Sequence, residues 1–183
     1  MKWTSWTWRK TNSYFHKNTN IIAINLFPYL SQTNTLYLQK KKIIRFLNIP
    51  DNFDIKKLSD TLSEYIQLKG YHIKKLQYNF VSKEDLLKMN KRYLNHKTHT
   101  DIITFNYSSD DKLEAEFFVS FWAINKSAKE HSQTVENETL RVIIHGVLHC
   151  MGYNDGDKEE IDNMRKMEDT FISMFHMKHR RYV

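Results

Sequence analysis

A helix that is apolar nearly all round, carries two histidines four residues apart and stops at a glycine constrains this chain more than anything else in it. Leu140, Ile143, Ile144, Val147, Leu148 and Met151 fall on one face, and Val142 and Cys150 make the flanks apolar too. Such a helix has to be buried, so other elements must wrap around it. His145 and His149 stand about 140–180° from Leu140 at roughly 100° per residue, away from the main packing stripe. Gly152 ends the helix, and the turn that follows can bring Asp155 back toward the imidazoles. The chain has four glycines, and three of them (Gly146, Gly152 and Gly156) lie inside or beside this stretch.

With nine histidines in the chain, random placement gives roughly 0.4 pairs at spacing four, so the pair alone says little. Burial supplies the argument: two neighbouring imidazoles in an apolar helix need partners, and one cation serves both. His145, His149 and Asp155 are the expected ligands of one divalent metal ion, most simply zinc. Three protein ligands leave a fourth position open, as catalytic sites do and structural sites do not. Cys150 is the only thiol, and it lies about 100° round the helix from His149 and about 140° from His145. It is read as a small buried side chain. An ion held this way polarises a phosphoryl oxygen, acidifies a bound water, or does both. Zinc proteases with H-E-x-x-H place a general-base glutamate after the first histidine, where this chain has Gly146. That counts against peptide hydrolysis without excluding it, because a base can come from elsewhere. Asp101 and Glu116 are candidates for that role, and Tyr153 is expected chiefly to pack.

The rest of the sequence predicts an α+β domain, a small mixed sheet packed against helices with the metal-binding helix central. Ile43 to Ile49 reads as a strand; Ile55, Leu58, Leu62, Tyr65 and Ile66 recur at helical spacing until Gly70. Leu76, Tyr78 and Phe80 alternate as in a half-buried strand. Ser82 is a plausible N-cap for a helix to about Tyr93. Strands are expected over Asp101 to Tyr107 and Glu116 to Phe121, and helices over roughly 122–132, 137–151 and 158–175. The last helix shows Ile161, Met164, Glu168, Phe171 and Phe175 at spacings of three and four.

Residues 1–41 read as an N-terminal extension of unknown structure and residues 42–183 as the domain. The formal charge of +7 belongs to the extension more than to the domain: residues 1–50 hold eight Lys or Arg and no acid. A basic arm of that kind suits RNA phosphates and suits a solvated tail equally. No run of 18 or more apolar residues exists, so no membrane span is expected. A single cysteine fits a reducing, intracellular location.

The helix motif resembles the signature H-G-x-L-H-x-x-G-Y-D-H of the YbeY family, the bacterial rRNA-maturation endoribonucleases. His145, Gly146, Leu148, His149, Gly152 and Tyr153 match it. Asn90-Lys-Arg-Tyr93 and Thr100-Asp101-Ile-Ile-Thr-Phe105 are similar to the family's N-x-x-Y-R and T-D-V-L-S-F run, and Ala115-Glu116-Phe-Phe-Val-Ser120 to its G-D-I-x-I-S strand. Two positions depart from the pattern. Asn154-Asp155 stands where the family has D-H, so the third ligand is a carboxylate. Leu94 stands where the family has an arginine thought to help hold or polarise a phosphate; Arg92, His96, Lys97, His99 and Arg141 are nearby cations. The resemblance implies a metal-dependent, single-strand-specific endoribonuclease of rRNA maturation and ribosome quality control, cytoplasmic, with rRNA and ribosomal particles as partners. Arg92, Lys97, His99 and Arg141 are then its RNA-binding candidates. A zincin-type hydrolase and a ribosome-associated RNA-binding protein without catalysis are the alternatives. Leu94 favours the second.

Overall fold

Two strands with strict alternation set the sheet. Leu76, Tyr78 and Phe80 of β3 (His72–Val81) and Leu113, Ala115, Phe117 and Val119 of β5 (Lys112–Ser120) point into the core. Their neighbours Lys75, Gln77, Asn79, Glu114 and Glu116 are half-buried on the opposite face, where Lys75 meets Glu116 at 3.4 Å. In the computed structural model, which describes residues 6–9, 43–51, 53–94 and 99–177, these strands lie at the middle of five. The others are β1 (Trp6–Arg9), β2 (Ile44–Leu47) and β4 (Ile102–Asn106), and the order is β1-β4-β5-β3-β2. Only the β4–β5 pairing is antiparallel.

The helices are α1 (Ile55–Leu68), α2 (Lys83–Met89), α3 (Phe121–Glu130), α4 (Val135–Cys150) and α5 (Lys158–Met177). The expected α+β architecture and its elements are therefore present, with informative differences at their ends. The second sheet strand of the matching segment starts at Lys112 and stops at Ser120, because the Ser120 hydroxyl accepts the Ala123 amide at 3.3 Å and opens α3 as its N-cap. The helix begun by Ser82 passes after Met89 into a turn of π-helix, Asn90–Leu94. Trp6–Arg9, which lies within the stretch read as an extension, pairs in parallel with β4 and adds a strand to the domain's sheet.

Every residue of α4 from Glu138 to Cys150 is buried except Arg141. Tyr78 ties the helix to the sheet: its ring is stacked between Phe46 and Phe117, at 4.9 and 4.4 Å, and its hydroxyl donates to the Ile143 carbonyl at 3.2 Å. Gly146 sets how closely α4 approaches β4 and β5. A Cβ there would lie 2.8 Å from Phe117 Cδ1 and 2.9 Å from Ile102 Cδ1. The Ile102 methyl can turn away, but the Phe117 ring is fixed by its stack with Tyr78. Gly146→Ala is therefore expected to lower stability by about 1–3 kcal/mol, even though alanine is the better helix former by roughly 1 kcal/mol. A denaturant midpoint equal to or above wild type would show that Phe117 yields.

Candidate metal centre

Helical spacing puts His145 and His149 on one side of α4, where both are buried. The end of α4 then shapes what faces them. Gly152 takes φ +95°, its amide donates to the His149 carbonyl at 3.1 Å, and the Tyr153 amide donates to the Leu148 carbonyl at 3.0 Å. This is the paired closing motif of a glycine-terminated helix. It turns the Tyr153 carbonyl onto His149 Nδ1, 2.9 Å away. At the start of α5, Asp157 and Glu160 cap each other: the Glu160 amide donates to Asp157 Oδ1 at 2.9 Å, and Glu160 Oε2 accepts the Asp157 amide at 3.4 Å and the Gly156 amide at 2.9 Å. The short loop that carries Asp155 is thus held at both ends.

The three expected ligands converge. His145 Nε2 and His149 Nε2 are 3.0 Å apart, and Asp155 Oδ2 lies 3.8 Å from the first and 3.9 Å from the second. A triangle of those sides has a common point about 2.1 Å from each corner, the length of a zinc–nitrogen or zinc–oxygen bond. Each of His145, His149 and Asp155 thus offers one ligand atom, all within 4.8 Å of one another.

The proton inventory makes the case stronger. His145 Nδ1 lies 2.7 Å from Glu168 Oε1, and His149 Nδ1 faces a carbonyl; both partners are acceptors. Each Nδ1 must therefore carry the hydrogen, which leaves both neutral Nε2 atoms as bare lone pairs. Two lone pairs 3.0 Å apart beside a carboxylate repel unless a cation stands between them. A metal ion or one added proton meets that need.

The surrounding charges decide where such a proton sits. Burial disfavours a charged His145, but the Glu168 hydrogen bond and charge, helped by Asp101 and Asp155, hold its pKa above the ordinary histidine value. Burial and the charge on His145 both push His149 down, against a weaker pull from Asp155. Between those two values the metal-free pair holds a single proton beyond its two Nδ1 hydrogens, on His145. Metal uptake in that window should release close to one proton per ion, with affinity falling as pH falls. Release should fade as pH rises through the His145 value. Calorimetry in two buffers of different ionisation enthalpy reads this directly; uptake without proton release would place the ion elsewhere.

Glu168 is the functional residue that sequence reasoning passed over, and it was visible as the one acid in an otherwise apolar stripe. It is buried, and burial alone would raise its pKa, yet His145 and Arg141 together hold it below the usual carboxylate range. Arg141 bridges Glu168 Oε2 and Asp169 Oδ1, each at 2.8 Å, and its Nε lies 3.9 Å from Glu138 Oε2. Its side chain is 14% exposed. It shares the His145 side of α4, as its position predicts, but its fork is spent on acids that fix the ligand rather than turned outward to a phosphate. Glu138 in turn accepts the Ser127 hydroxyl at 2.7 Å, which joins α3 to the same network.

Among the other RNA-binding candidates, Arg92 is exposed with its guanidinium 5.5 Å from the Tyr93 ring, and His99 is exposed beside Trp122 at 5.4 Å. Lys97, His96 and the side chain of Leu94 lie outside the described residues. Asp101 is buried at the start of β4 and its charge acts on His145; burial pushes its carboxyl up, against the lowering influence of His145. Glu116 is engaged by Lys75 on the outer face of the sheet. Tyr153 packs against the core by its side chain and orients His149 by its carbonyl.

A family model described as endoribonuclease YbeY matches residues 40–176, which contain the three converging ligands and Glu168. The endoribonuclease YbeY of Flavobacterium johnsoniae is 38% identical over 119 residues, 65% of this chain and 86% of its own length. That of Bacteroides thetaiotaomicron is 36% identical over 123 residues, 66% of this chain and 90% of its own. The solution structure of TM1509 from Thermotoga maritima has the same fold, with a TM-score of 0.58 over 75% of this chain and 92% of that one, at 23% identity. With its motif, its fold and most of its length matched, the chain belongs to the endoribonuclease YbeY family.

Proposed function

We propose that this protein is a metal-dependent, single-strand-specific endoribonuclease that acts on rRNA in ribosomal particles, in rRNA maturation and ribosome quality control in the cytoplasm. The observation that carries the reading is the meeting of two imidazole lone pairs and a carboxylate at one buried point, within a family of endoribonucleases. No described helix is long and apolar enough to cross a membrane.

His145, His149 and Asp155 would hold one divalent ion, zinc by donor type. Such an ion supplies Lewis acidity to a phosphoryl oxygen and a more acidic bound water. The chain's own part is positional. Glu168 and the Tyr153 carbonyl lock both imidazoles with Nε2 turned inward, and the Glu160 cap holds the Asp155 loop. Asp101, buried next to this charge system, is the better placed of the two candidate proton acceptors, since Glu116 is paired with Lys75. Position 146 faces Phe117 and Ile102 rather than the ligands, so the glutamate of zinc proteases has no place there. That adds to the argument against peptide hydrolysis.

The test is cleavage of single-stranded and duplex oligoribonucleotides by the metal-loaded chain, alongside its metal content and a chelator control. Cleavage of single strands that chelation stops and readdition restores is the expected result. A loaded protein that binds RNA and leaves it intact would replace this reading with the binding-protein one.

A further inference from the structure

The first turn of α3 presents an aromatic surface that the metal centre does not use. Ile124, Ser127 and Ala128 are the buried side of α3, while Trp122 and Lys126 stand one turn apart on its outer side. Trp122 is 41% exposed, which leaves part of the indole open to solvent. Two lysines and an imidazole surround the indole: Lys83 Nζ lies 3.9 Å from its centroid, Lys126 Nζ lies 5.7 Å away, and the exposed His99 ring is 5.4 Å off. Lys126 also pairs with Glu130 at 3.7 Å. No carboxylate pairs with Lys83 among the described residues. The cluster is tied to the metal centre through Asp101, whose carbonyl accepts the Ser120 amide at 2.8 Å and whose neighbour Ile102 packs against α4 at Gly146, beside His145. His99 precedes Asp101 by two residues and Trp122 follows Ser120 by two.

We propose that Trp122, flanked by His99, Lys83 and Lys126, is a stacking platform for an unpaired base of single-stranded RNA beside the metal centre. The proposal deepens the endoribonuclease reading and rests on it. An exposed indole gives a base a π-face, and the neighbouring lysines give the adjoining phosphates counter-charges, the two elements of single-strand recognition. A duplex keeps its bases stacked internally, so only an unpaired base reaches the ring. The platform thereby supplies a physical origin for strand preference that the metal ligands alone do not.

The experiment is equilibrium binding of a short oligoadenylate and, separately, of inorganic polyphosphate to the full chain, with a chelator present to prevent cleavage. Trp122→Ala is expected to weaken oligoadenylate binding about 10-fold, Trp122→Phe to stay near wild type, and polyphosphate binding to change in neither. Thermal unfolding of each variant checks the fold. Wild-type binding that Trp122→Ala leaves unchanged, or an equal loss toward polyphosphate, overturns the platform while the endoribonuclease reading stands. Failure of the wild-type chain to bind oligoadenylate overturns the platform, and the endoribonuclease reading is then decided by the cleavage assay on the metal-loaded chain.

Discussion

Replacing Glu168 with alanine should cost about 3–5 kcal/mol of stability, because it strands buried charge instead of merely deleting a contact. Arg141 would lose one of its two close acceptors and His145 the partner of its Nδ1 hydrogen. Both are held in surroundings where water does not replace what is lost; the Glu168 side chain itself is only 4% exposed. For a chain of this size the loss corresponds to a fall in Tm of roughly 6–20 °C. Metal affinity should drop as well, by about 10–100-fold, since the ring of His145 is no longer held with Nε2 inward. Glu168→Gln separates the two effects. Its carbonyl can still accept from His145, so much of the stability should survive, while the lost charge makes the imidazole a weaker ligand. Thermal unfolding and chelator competition on both variants give the comparison. A Glu168→Ala protein that melts with wild type would mean that Asp169 and Glu138, which already approach Arg141, take over the role.

How much of this site could be read without coordinates follows from where each signal lives. The two histidines, the glycine stop and Asp155 are local: one helical period and one helix end decide their placement, and the sequence pattern specifies both. The alternating strands β3 and β5 and the helices are local in the same sense. What escaped is long-range. Trp6–Arg9 is a four-residue strand defined by its pairing with β4, about a hundred residues further along the chain. No periodicity within four residues announces that. Nor does any strand's own pattern say that β5 lies between β4 and β3. Arg141 shows the same divide in a single side chain. Its helical position correctly puts it beside His145, but what it grips belongs to α5, and only the folded arrangement shows acids there rather than an open path to phosphate. Glu168 was legible in principle, because a lone carboxylate at a core position of a helix must have a partner.

His149→Ala should abolish metal binding yet leave the metal-free protein about as stable as wild type. The reason is the arrangement that makes the site. Without an ion, and above the pH at which His145 takes up its added proton, His149 brings a lone pair to 3.0 Å from another one and lies 3.9 Å from a carboxylate, while its Nδ1 is held by the Tyr153 carbonyl. At that pH, removing it relieves repulsion about as much as it loses packing, which is the balance expected where a cluster is kept for function and not for folding. With an ion the balance reverses. Binding to the native state alone contributes RT ln(1 + [M]/Kd), about 4 kcal/mol at a thousandfold excess over Kd, so the wild-type Tm should rise on adding zinc and the variant's should not move. Asp155→Ala should sit between them, keeping both imidazoles and a reduced rise. The contrast with Glu168→Ala is the discriminating feature: one variant loses stability without metal present, the other only the gain that metal confers. A zinc-induced rise that persists undiminished in His149→Ala would put the ion on other donors, the acidic rim of Asp157, Glu159, Glu160 and Asp162 at the start of α5, and would separate metal binding from the two helical histidines.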